Sequence, residues 1–167
     1  MWVVLSVRKI LRADMGMLLA HLGFAVLILG ITLSSFTSQE REVRLHTGDQ
    51  VALGPYVFHF VDTIGVAGSN FHGIQGRFQV FKQDRLITQL YPEKRIYPVR
   101  DMVMAKVAIH PGIFRDLYVA LGEPYDAEDW SVRLYYKPFL RWIWAGGVLM
   151  MFGGMMTLWR RKAGRLA

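Results

Sequence analysis

The chain has 167 residues, no cysteine, 53% hydrophobic residues and 20 Lys+Arg against 13 Asp+Glu; this excludes a disordered tail and a disulfide-stapled secreted miniprotein and argues against one ordinary soluble domain. A formal charge of +7 would suit a nucleic-acid binder if it were spread evenly, but Thr37 to Pro138 is neutral overall. The excess lies in Arg8, Lys9, Arg12, Arg141, Arg160, Arg161, Lys162 and Arg165, with Asp14 the one acid among them. These residues flank two apolar runs, so a membrane and not a nucleic acid is the expected partner.

Taken in chain order, residues 1–14 form a basic flank and 15–36 a first transmembrane helix. Met15 to Phe36 carries no charge, and at ~1.5 Å per residue it reaches ~33 Å, enough to cross the hydrocarbon core. A signal peptide would also begin with a basic stretch, but this apolar run is too long and a second follows. Gly16, Ala20, Gly23, Leu27, Gly30 and Ser34 share one narrow stripe, a small-residue seam that lets another helix approach closely. His21 projects ~140° away from it, beside Met17, Leu18, Ala25 and Ile28. An ionisable ring at that depth must be buried in protein, hydrogen-bonded or bound to a metal. Its spacing alone leaves a packing histidine and a ligand equally open.

Residues 37–138 read as β structure. Runs rich in aromatic and β-branched residues alternate with turn signals: Glu42 to His46, Gln50 to Leu53, Tyr56 to Asp62, Ile74 to Lys82, Arg85 to Tyr91, Met102 to Ile109 and Trp130 to Lys137. Gly65, Gly68, Ser69 and Asn70 suggest a loop, and Phe114 to Leu121 is ambiguous. The expected fold is a small antiparallel barrel or sandwich of about seven strands between the helices. His46, His59, His72 and His110 lack the short spacings of a metal site and read as surface imidazoles, His59 opposite Phe58 and Phe60. Asp126, Glu128 and Asp129 read as a solvated acidic turn. Glu93, Lys94 and Arg95, followed by Arg100 and Asp101, read as a charged strand edge. No phosphate loop, nucleophile elbow or zincin helix is present, which sets a hydrolase aside.

Residues 139–159 form the second transmembrane helix, with Trp142, Trp144 and Trp159 near its ends, and 160–167 a basic tail. Gly146 and Gly153, with Gly147 and Gly154, suggest its own packing faces. Basic residues outside both spans place the two ends in the cytoplasm and the central domain in the periplasm. Two helices cannot cover all these faces, so a larger helical assembly is expected.

Four segments then come together: Met15-Gly16-Met17-Leu18-Leu19-Ala20-His21-Leu22-Gly23, Tyr91-Pro92-Glu93-Lys94-Arg95-Ile96-Tyr97, Phe114-Arg115-Asp116-Leu117-Tyr118-Val119-Ala120-Leu121-Gly122-Glu123 and Lys137-Pro138-Phe139-Leu140-Arg141-Trp142-Ile143-Trp144. With them the chain resembles the C-terminal part of the cytochrome c maturation protein F family, CcmF, the haem lyase of system I cytochrome c biogenesis. The resemblance implies an inner-membrane location and a place in attaching haem to apocytochrome c. It also implies partners: an N-terminal part of the lyase, a periplasmic haem chaperone and a thiol-handling maturation subunit. It makes His21 an axial ligand to the iron of haem b, shared with a histidine upstream. The family's tryptophan-rich segment, the other membrane histidine and two periplasmic histidines have no counterpart here, so the chain alone is expected not to attach haem. It is then either a fragment or one product of a split gene. The alternative from another class is a membrane-anchored periplasmic scaffold with no haem ligand of its own.

Overall fold

A computed structural model describes residues 15–99, 101–126 and 128–163. Arg8, Lys9, Arg12, Arg100 and Arg165 lie outside the described residues. The chain forms two compact units, one holding the helices and the other Thr37–Pro138.

In the helical unit, α1 runs Met15–Thr37 and α2 Leu140–Ala163, and both are long and apolar enough to cross a bilayer. The glycine seam is where they meet: Gly16, Gly23 and Gly30 of α1 are buried with Ser34. A Cβ placed on Gly23 would lie 2.6 Å from the Met150 nitrogen and 2.7 Å from the Gly146 oxygen. One placed on Gly153 would lie 2.5 Å from the Ala20 nitrogen. Backbone therefore meets backbone, the contact that replaces hydrophobic drive between helices in lipid. Gly147 and Gly154, expected to belong to a packing face, have open space around them.

The central unit is a sandwich of two antiparallel sheets, the fold class read from the sequence, though with ten strands among the described residues and not seven. In chain order these are β1 Gln39–His46, β2 Gln50–Leu53, β3 Tyr56–Ala67, β4 His72–Lys82, β5 Arg85–Leu90, β6 Glu93–Tyr97, β7 Met102–Lys106, β8 Ala108–His110, β9 Arg115–Pro124 and β10 Asp129–Pro138. The four-stranded sheet has the order β1-β10-β9-β8; the six-stranded sheet runs β2-β3-β4-β6-β7, with β5 on β4. Phe58, Phe60, Phe78 and Val80 of one sheet close against Leu117, Val119, Leu121, Val132 and Leu134 of the other. Phe60 and Phe78 are paired in register and stacked at 4.6 Å between ring centroids. The alternation of buried and half-buried residues in β3 leaves His59 opposite those phenylalanines, as its spacing predicts.

Three expectations change. The run Met102 to Ile109 is two strands in different sheets, broken at Val107. Gly65 lies within β3 and not in a loop. Glu93 to Tyr97 is an interior strand between β4 and β7, not an edge. Its Glu93 is buried and accepts from Gln75 Nε2 at 3.0 Å, Arg95 Nε at 2.6 Å and Lys106 Nζ at 3.0 Å. Burial opposes that charge, but the three donors outweigh it and hold the carboxyl below its ordinary range.

Candidate functional site

His21 lies in the second turn of α1, on a face that α2 does not cover: the seam residues Gly16, Gly23 and Gly30 are buried while His21 is exposed. Its neighbours on this face, Met17, Leu18 and Ile28, are 50%, 70% and 46% exposed, an apolar surround with one nitrogen heterocycle in it. His21 Nδ1 lies 2.7 Å from the Met17 carbonyl oxygen, one helical turn back. A carbonyl only accepts, so Nδ1 carries the hydrogen; in a neutral ring Nε2 is then the nitrogen with the lone pair, and it has no hydrogen-bond partner among the described residues. That is the tautomer of a metal-ligating histidine whose second nitrogen is held by backbone. The donor set suits one axial position of a haem iron: a neutral imidazole, oriented from behind, among apolar side chains. It supplies a single ligand.

The histidines of the β domain are not brought together, and among the described residues no three His, Asp or Glu side chains are placed to hold a metal. His46 is nonetheless more than a surface imidazole. Its Nδ1 lies 2.8 Å from Asp129 Oδ1 and its Nε2 3.1 Å from Glu128 Oε2. The hydrogen bond to Asp129 raises its pKa, partial desolvation opposes this, and the charges of Asp129, Glu128 and Asp49 add to the rise. Arg44 pairs with Asp126 and Asp129 and stacks on Tyr125, 4.8 Å from its ring centre. The acidic turn is thus clasped to β1. Sequence spacing hides this, because His46 and Asp129 meet only through the β1–β10 register. His110 is shifted down, first by burial and then by Arg115 nearby, and takes no part in the clasp.

Two membrane-length helices joined along a glycine seam, with an antiparallel sandwich between them in sequence and an outward-facing histidine on the first, define a membrane-protein module with one candidate metal ligand. The family model for the CcmF C-terminal beta-sandwich matches residues 36–138, and the chain belongs to that family. A Haemophilus influenzae protein named cytochrome c-type biogenesis protein CcmF is 43% identical over 157 residues, covering 94% of this chain and 24% of that protein. Escherichia coli K12 CcmF is 48% identical over 143 residues, covering 86% and 22%. The solved structure of a Cytochrome c Heme Lyase CcmF has a TM-score of 0.67 and 20% identity, covering 86% of this chain and 24% of that one; it shows the same fold. The chain therefore spans about a quarter of the length of the relatives it matches.

Proposed function

We propose that the chain is the C-terminal portion of a haem lyase assembly that attaches haem to apocytochrome c, and that His21 is an axial ligand of a haem b within it. The other ligand is a histidine of the N-terminal part, as a one-ligand face requires. The names of the relatives support the role in cytochrome c biogenesis, and the attachment reaction belongs to the whole assembly. Haem, when bound, supplies a redox-active iron. The chain's own residues would do the rest: His21 Nε2 would hold the iron, while the Met17 carbonyl holds the Nδ1 proton and raises the basicity of the ring. The Nδ1 to Met17 hydrogen bond is the observation that carries the assignment.

The basic flanks support an inner-membrane topology with both ends cytoplasmic and Thr37 to Pro138 in the periplasm. There the sandwich meets the haem chaperone, the thiol-handling subunit and apocytochrome c. In the purified assembly, His21→Ala should lower bound haem severalfold while the helix pair, joined on the opposite face, stays packed. Wild-type haem content in that variant would leave His21 a packing residue and the chain a membrane-anchored scaffold.

A further inference from the structure

The outer strands of the two sheets differ in how they guard their edges. β1 ends the four-stranded sheet and carries Glu40, Arg41, Glu42 and Arg44, the kind of charge that stops another chain from adding to an open edge. β7 ends the path β2-β3-β4-β6-β7 and reads Met102-Val103-Met104-Ala105-Lys106, with neither a proline nor a bulge. Every residue of β7 is exposed, Met102, Val103 and Met104 by 39%, 56% and 48%. On one side its backbone pairs with β6; on the other, its backbone groups have no partner among the described residues.

The free edge borders a cleft. Beyond Val107 the chain enters β8, which pairs with Leu117 to Val119 of β9, so β7 and the rest of β9 part from that point. Between them lies a cleft of about 290 Å³ walled by Ile74 of β4, Ile96 of β6, Val103 of β7, Pro124 of β9 and Trp130 of β10. That is just under the roughly 300–1,000 Å³ of small-molecule pockets, and it suits an apolar side chain better than a cofactor. Trp130 is 3% exposed, and its indole nitrogen is buried with no hydrogen-bond partner among the described residues, a donor left unsatisfied. The cations at this edge are already matched: Lys94 with Glu123, and Arg95 and Lys106 with Glu93.

We infer that β7 and this cleft take up an uncharged, extended segment of a partner polypeptide, which adds to β7 as a further strand and sets an apolar side chain beside Trp130. An open strand edge is matched only by another backbone, so the main chain supplies affinity and the cleft selects the side chain. A lipid chain could fill the cleft but would leave the β7 backbone unpaired. The matched cations call for no acid on the occupant, and an oxygen of the incoming chain can accept from the Trp130 indole. The site lies wholly within the β unit and depends neither on the haem assignment nor on the helices.

The probe is a fluorescein-labelled peptide of about eight residues, Thr alternating with Val around a central Leu. Its twin is N-methylated along its length, which keeps the side chains and removes the N–H donors. Fluorescence anisotropy of each is followed against the chain in its native assembly, held in nanodiscs. Binding of the first peptide should saturate. N-methylation, and separately Val103→Lys, which puts a charge at the edge and in the cleft, should each weaken it at least about tenfold. Leu86→Lys is the control: Leu86 is 45% exposed and lies opposite Phe81, at the other end of β4 from Ile74, and its replacement should leave affinity within about twofold. Absence of saturable binding overturns the strand addition. Equal binding of the two peptides also overturns it, since the cleft would then take any apolar group. Equal loss in Val103→Lys and Leu86→Lys would put the binding elsewhere and do the same. So would a disulfide between two copies that each carry a single cysteine at Met104, because a second copy would then be the occupant.

Discussion

The two units of the chain are held together by opposite means. The helix pair gains its contact by removing side chains, so that Gly23 meets Gly146 and Gly16 meets Gly153 backbone to backbone. The sandwich gains its contact by filling space with large ones, Phe58, Phe60 and Phe78 in front of Leu117, Leu121 and Leu134. Lipid gives helices no hydrophobic reason to meet, so closeness must come from shape; water gives the sheets that reason, so volume matters most. The helix unit accordingly tolerates little added volume at its seam, and the sandwich tolerates little removed.

The largest effect should come from Gly23→Leu. Its Cβ alone would fall within 2.7 Å of the Gly146 oxygen and the Met150 nitrogen, so the helices must separate, and the distance between spin labels at the exposed Leu18 and Leu158 should increase. Gly147→Leu, where nothing lies within 4 Å, should leave that distance unchanged. An equal increase in both variants would mean that the seam is not the contact. In the sandwich, Phe60→Ala should cost about 3–5 kcal/mol of domain stability, read from denaturant unfolding with tryptophan fluorescence. A loss under about 1 kcal/mol would show that the stacked Phe60–Phe78 pair is not central to the core.

The smallest effect is the pH dependence of the His46 clasp. An imidazole between two carboxylates satisfies both only when protonated, and its pKa is raised in the folded domain. The stabilisation is therefore complete below the ordinary histidine pKa of about 6.5 and is lost as pH climbs through the raised value. The unfolding temperature of the native chain should exceed that of His46→Gln near pH 6, and the gap should close above the raised pKa. A gap that widens with pH would have the wrong sign for this clasp.

Much of this architecture is written locally in the chain. A charge-free run with glycines on one stripe is enough to mark α1, its partner face and the outward side of His21. Strand positions follow from alternation, as at Tyr56 to Asp62 and Trp130 to Lys137. Sheet membership does not, because Val107 turns one apparent strand into two that pair with β6 and β9, and only the tertiary register distinguishes them. Phe114 to Leu121 is ambiguous in sequence since Leu117, Val119 and Leu121 alternate while Arg115, Asp116 and Tyr118 carry no clear period; pairing with β10 and β8 settles the part from Arg115 onward as β9. Glu93 reads as an edge charge because the basic groups that neutralise it include Lys106 from the next strand. The His21 tautomer is likewise out of reach of spacing, resting on a ring orientation toward the Met17 carbonyl.

The haem ligand is tested most directly by emptying its place and offering a substitute. His21→Gly removes the ring but leaves α1 and its seam, and free imidazole can enter the space and bind iron. In the purified assembly, this variant should show low haem absorbance that rises toward the wild-type spectrum as imidazole is added, with no such rise for added pyrrole, which lacks a donor lone pair. Full haem absorbance in His21→Gly without imidazole would contradict the assignment.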